Sequence, residues 1–162
     1  LGDVYKRQGV ILASLLIVLI LFAPVIYIRF LIIGVSLLAS WEYCSVALSK
    51  ERMLSRIFII VFYVVGVAVF IFTRFDLFVF QYLYVAVFLA FILQFSKNVE
   101  PIEKIKSVAF YMFGFMYIVL LIGLFGRILD HTYYQFWIFL VMAVTFASDT
   151  GAYVCGLSLI HI

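Results

Sequence analysis

The residues able to do chemistry in this chain are few. The densest group is Phe146-Ala147-Ser148-Asp149-Thr150-Gly151-Ala152-Tyr153-Val154-Cys155-Gly156. It sets a carboxylate, two hydroxyls and a helix-loosening glycine at the close of a long apolar run. A charged side chain at the centre of a bilayer costs roughly 3 kcal/mol even on the lenient insertion scale, so Asp149 requires a compensating partner. It is therefore the first candidate for a functional residue. Ser148 and Thr150 add oxygen donors, and Gly151 permits close approach to the backbone. Hard oxygen ligands of this kind suit magnesium with phosphate, and not zinc or copper.

Other constellations are absent or weak. Cys44 and Cys155 lie far apart, each inside an apolar stretch, and no CxxC or Cys/His spacing supports a disulfide framework or a zinc site. His131 follows Asp130 with no Ser or Cys group nearby, which suits a solvated residue. No P-loop, dinucleotide fingerprint, nucleophile elbow or HExxH occurs. The formal charge of +3 is too small to point to nucleic acid.

The elements that position Asp149 are membrane helices. The chain has 162 residues, of which 69% are hydrophobic and 12% charged, against about a quarter charged in a soluble domain. That excludes a water-soluble globule. Continuous apolar runs, without alternation, predict an all-α polytopic bundle instead of a barrel. Six such runs can be drawn: 9–23, 27–48, 57–72, 77–95, 107–126 and 133–155. Each is near the ~20 residues that cross a bilayer. Residues 1–8 (LGDVYKRQ) and 157–162 (LSLIHI) look non-native and are set apart from a transmembrane domain at 9–156. Gly114, Gly123 and Gly126 suit helix packing. Between Lys97 and Lys106, Pro101 suits a first helical position, although a solvated loop is the preferred expectation there.

Basic residues set the orientation. Lys50, Arg52 and Arg56 follow the second run, and Lys97, Lys104 and Lys106 follow the fourth, whereas the opposite connections hold Arg29, Arg74 and Arg127. The positive-inside rule then puts the N-terminus and the Asp149 end of the last run on the cytoplasmic side. Glu42, in Ala39-Ser40-Trp41-Glu42-Tyr43, falls at similar depth to Asp149. Two carboxylates at one depth imply a shared cation, separate basic partners, or one protonated group. A structural role for Glu42 between helices competes with a site role.

Ser148 to Gly156 resembles the (S/A)-D-(S/T)-G-A-Y-x-x-G stretch of the bacterial phosphatidate cytidylyltransferases, the CDP-diacylglycerol synthases. Ala39 to Tyr43 is similar to that family's A-x-W-E-(W/Y), and Ser107 to Gly114 with Tyr117 is similar to its fifth span. The resemblance covers Gly9 to Gly156. It implies CTP and phosphatidic acid as substrates in the inner membrane, CDP-diacylglycerol and pyrophosphate as products, and Mg²⁺ as cofactor. Asp149 would be catalytic and would hold the metal–nucleotide assembly. Ser148, Thr150, Gly151, Tyr153 and Glu42 would contact substrate, and a homodimer is compatible with it. Where the family continues with a basic residue this chain has Leu157, and the family's later K-R-x(4)-K-D … H-G-G-x-x-D-R-x-D region does not follow. The resemblance thus implies an N-terminal part, inactive by itself. Two alternatives compete: a CTP-dependent polyprenol or phytol kinase, and a transporter fragment using Glu42 and Asp149 as an ion relay.

Overall fold

The computed structural model describes residues 2–49, 51–73, 76–95 and 99–160. Lys50, Arg74 and Lys97 of the orientation argument lie outside the described residues, as do Leu1, His161 and Ile162. Among the described residues the regular elements are all helical. They are α1 (Gly2–Phe22), α2 (Val25–Ala47), α3 (Met53–Phe72), α4 (Asp76–Phe95) and α5 (Pro101–Gly114). A π-helical turn (Phe115–Leu120), α6 (Leu121–Arg127), a 3-10 turn (Ile128–Asp130) and α7 (Tyr134–Ile160) complete the order. Val25–Ala47, Met53–Phe72, Pro101–Asp130 and Tyr134–Gly156 are long and apolar enough to cross a membrane, and Arg7–Phe22 and Phe80–Phe95 are shorter apolar helices. The chain is an all-α membrane bundle, as its composition dictates: in lipid only intrasegment hydrogen bonds satisfy the backbone of each span.

The helix ends differ from expectation in two places. The solvated loop expected before the fifth span is helical from Pro101, with Glu100 as N-cap and Pro at the first position. Proline has no N–H to lose there and its fixed φ starts the helix, so α5 runs without a break into the apolar stretch. The third helix starts at Met53, four residues ahead of the expected Ile57, and takes Arg56 into its first turn.

The chain divides into two compact units, Pro24–Arg127 and Leu1–Ala23 with Ile128–Ile162. In the first, α3 is the hub. Its buried residues Ile59, Ile60, Tyr63, Gly66, Val67, Phe70 and Ile71 recur at helical spacing. The buried edge of α2 is a strict every-fourth-residue ridge, Ile28, Ile32, Ser36, Ser40 and Cys44. Its small members permit close approach, and the serine hydroxyls donate within their own helix, Ser36 to Ile33 O at 2.7 Å and Ser40 to Ser36 O at 2.6 Å.

Glycines set the contacts of α3 with the rod from Pro101 to Arg127. A Cβ at Gly123 would lie 2.7 Å from Phe70 Cβ, and one at Gly126 2.5 Å from Ile71 Cγ1. A Cβ at Gly114 would meet the rings of Tyr43 and Tyr63, so the packing role expected for all three glycines holds. Tyrosines lock the same seam. Tyr43 Oη donates to Phe110 O at 2.7 Å, and Tyr63 Oη to Tyr111 O at 2.8 Å. Both carbonyls sit just before the π-helical turn, where the hydrogen-bond ladder changes register. At the other end Arg127 caps α3, donating to Thr73 O at 3.0 Å and Phe70 O at 3.4 Å.

In the second unit Gln135 Nε2 donates to Ile20 O and Leu21 O at 3.4 and 3.3 Å, satisfying last-turn carbonyls of α1. Ile20, Leu129 and Ile138 are its buried apolar residues.

The glycine seam makes a paired prediction. Gly123→Ala, which drives a Cβ into the fixed Cβ of Phe70, should lower stability by about 1–3 kcal/mol. Gly151→Ala, whose Cβ meets nothing within 4 Å, should be neutral or stabilising by up to about 1 kcal/mol. Thermal unfolding of the two variants in one detergent, followed by helical circular dichroism, measures the difference.

Candidate functional site

Ser148, Asp149, Thr150, Gly151 and Tyr153 all lie on α7, and all are exposed. The loosening expected at Gly151 does not occur: α7 continues through Gly151 and Gly156 to Ile160, and no glycine has a positive φ. One glycine costs about 1 kcal/mol in a helix, which the flanking apolar helix formers outweigh.

A straight helix decides which of these side chains can act together. At about 100° per residue, Asp149 and Tyr153 share a face four residues apart, with Ala152 and Gly156 beside them. The small neighbours leave room against that face, and nothing lies within 4 Å of the Cβ position at Gly151 or Gly156. Ser148 and Thr150 lie about 100° to either side of Asp149, pointing nearly opposite ways. The helix thus pairs Asp149 with Tyr153 and parts the two hydroxyls from each other.

Among the described residues no group of three or more His, Cys, Asp or Glu side chains comes together. Asp149 therefore offers a single carboxylate. Mg²⁺ is usually held by one or two carboxylates together with substrate phosphates and water, and a single carboxylate on an open face fits that mode. The donor set does not fit an all-protein cage.

Glu42 is exposed on α2 in the unit Pro24–Arg127, whereas Asp149 belongs to the other unit. The Glu42 main-chain carbonyl accepts from Ser45 Oγ at 2.7 Å. Its neighbour Tyr43 turns inward onto α5, so adjacent residues of the motif serve different faces.

A second polar group went unread in the sequence. Gln94 is 1% exposed near the end of α4, and its Nε2 meets no acceptor within hydrogen-bond geometry among the described residues. The Tyr111 hydroxyl faces both Gln94 and Glu51. Glu51 in turn lines a cleft of about 180 Å³ with Ser49, Glu103, Lys106 and Ser107. The signal was present: a glutamine inside an apolar span needs a partner. Tyr111 and Glu51 lie in two other segments, which no local pattern links to Gln94.

The exposure of this region is checked by thiol chemistry. N-ethylmaleimide should modify Cys155, which is exposed on α7, in the folded chain in mild detergent. Cys44, buried on the α2 ridge, should react only after denaturation, as mass spectrometry of the peptides would record.

The model of the cytidylyltransferase family matches residues 7–160, which take in both Glu42 and the Ser148–Gly156 stretch. No curated protein matches the chain, and no solved structure does.

Proposed function

The chain belongs to the cytidylyltransferase family, and on that premise we propose that it serves the transfer of a cytidylyl group from CTP to phosphatidic acid at the cytoplasmic face of the inner membrane. The family supports a CTP-using transferase. The lipid acceptor is supported by the resemblance of Ser148–Gly156 to the phosphatidate enzymes and by the chain's apolar helices, which would hold the site in a lipid bilayer. The observation that carries the proposal is Asp149, a carboxylate exposed on a membrane helix with no ion pair among the described residues.

In the reaction a phosphate oxygen of phosphatidic acid attacks the α-phosphorus of CTP. The bond from that phosphorus to the bridging oxygen breaks, and pyrophosphate leaves with the electron pair. Asp149 is the residue that would hold Mg²⁺ beside the nucleotide phosphates. When bound, the ion neutralises charge on the triphosphate and on the leaving pyrophosphate. Tyr153, on the same face, orients the nucleotide by its ring and hydroxyl, and Ala152 and Gly156 leave space for it. Ser148 and Thr150 flank this face and contact substrate at its edges.

The position of the label in CTP tests the reaction type. In membranes carrying the protein, α-³²P from CTP should enter chloroform-soluble lipid in the presence of phosphatidic acid and magnesium, and γ-³²P should not. Transfer of γ-³²P to a polyprenol would make the protein a kinase and overturn the proposal. Asp149→Asn should lower the rate by about a hundredfold or more. Tyr153→Ala should cost about tenfold, and Thr150→Ala, off the shared face, several times less than Tyr153→Ala.

A further inference from the structure

The edge that α4 turns inward repeats every fourth residue: Tyr82, Ala86, Ala90 and Gln94. Ala86, Ala90 and Gln94 are 5%, 3% and 1% exposed. The two alanines share an apolar crevice of about 20 Å³ with Ile59 and Phe62 of α3 and with Met112 and Phe115 of the rod. From Leu83 to Leu93 every residue of α4 is apolar or aromatic, and Tyr84, Val85, Phe88, Phe91 and Ile92 are exposed. In lipid such a stretch gains no hydrophobic force toward its neighbours, and two alanines one turn apart fit each other's place. Nothing between 83 and 93 therefore separates the observed register from one slipped by a turn, about 5.4 Å.

The two polar ends of the edge do separate them. Tyr82 lies over Gly66, stacks on Phe62 with ring centroids 4.8 Å apart, and donates to Phe62 O at 2.5 Å. Gln94, at the other end, sits by the Tyr111 hydroxyl, which also faces Glu51. Its Nε2 meets no acceptor within hydrogen-bond geometry among the described residues, so a leucine there would hold α4 at least as firmly. What the amide adds is discrimination. A slip of one turn toward the N-terminal end of α4 carries it to the place of Ala90, against Ile59, Met112 and Phe115. The nearest hydroxyl there, that of Tyr63, already donates to Tyr111 O. An amide stranded in that crevice is disfavoured by roughly tenfold to a hundredfold.

We propose that Gln94 is a register pin: together with Tyr82 it confines α4 to one axial position on α3 and the rod, because the slipped helix would bury its amide among apolar side chains. The pin rests on residues 59–115 and does not depend on the transferase reaction.

The axial position of α4 can be read directly. Spin labels on Leu54→Cys and Leu77→Cys, both exposed, stand near the first residues of the consecutive helices α3 and α4 and so at opposite ends of the pair. Cys155→Ala removes the exposed thiol, and Cys44 is buried. Distances are measured by double electron–electron resonance on the full chain in phosphatidylcholine nanodiscs. The parent and Tyr82→Phe should each give a single distance. Adding Gln94→Leu to Tyr82→Phe should bring in a second distance, longer by about 5 Å, in about a tenth of the chains or more. The melting temperature should stay level or rise, which separates a pin from a residue that merely stabilises. A single unchanged distance in the double variant overturns the proposal. So does a second distance of equal weight in Tyr82→Phe alone, which would leave the register to Tyr82. If the double variant loses helical circular dichroism, Gln94→Leu alone is read in its place: the longer distance supports the pin, and the parent's single distance overturns it.

Discussion

Between helices in a bilayer there is no hydrophobic force to gain, because lipid is as apolar as the side chains it would replace. What remains is close van der Waals packing and interhelical hydrogen bonding, and both converge on α3. Phe70 and Ile71 enter the spaces left by Gly123 and Gly126, and Tyr63 fits beside Gly114 while donating to Tyr111 O. Removing those spaces would separate α3 from the rod that follows Pro101. The ridge of α2, the Arg127 cap and the tyrosine ladder all assume that separation is small.

The same close packing accounts for where polar groups are tolerated. Serines on α2 satisfy themselves within their helix, and tyrosines reach carbonyls next to the π-helical turn, so these polar groups of the unit's interior are bonded. Arg56 and Gln94 are exceptions, each with a buried nitrogen that meets no acceptor among the described residues.

The α7 helix works by a different principle. Its side chains from 143 to 156 are exposed, and the angular spacing of a regular helix sets which of them share a face. Asp149 and Tyr153 present one chemical edge, with small residues beside it, and the flanking hydroxyls face away from each other. A carboxylate on such an edge is suited to a ligand that brings its own phosphates and cation, because one side chain cannot by itself enclose an ion.

The sequence by itself determined the class of the protein, the six apolar segments, the packing role of Gly114, Gly123 and Gly126, and Asp149 as the residue to ask about. Each of these follows from local cost: apolar length for a span, a missing side chain for close approach, a charge in hydrocarbon for function. The family came from a contiguous motif for the same reason, since all its residues lie within one helix. Only the tertiary structure decided that Pro101 starts a continuous helix, that Gly151 leaves α7 unbroken, and that Ser148 and Thr150 diverge from Asp149. It alone placed Gln94 with Tyr111 and Glu51, and Arg56 with Trp41. Such groupings depend on helix register and on contacts between segments distant in the chain, and residue order carries no record of either.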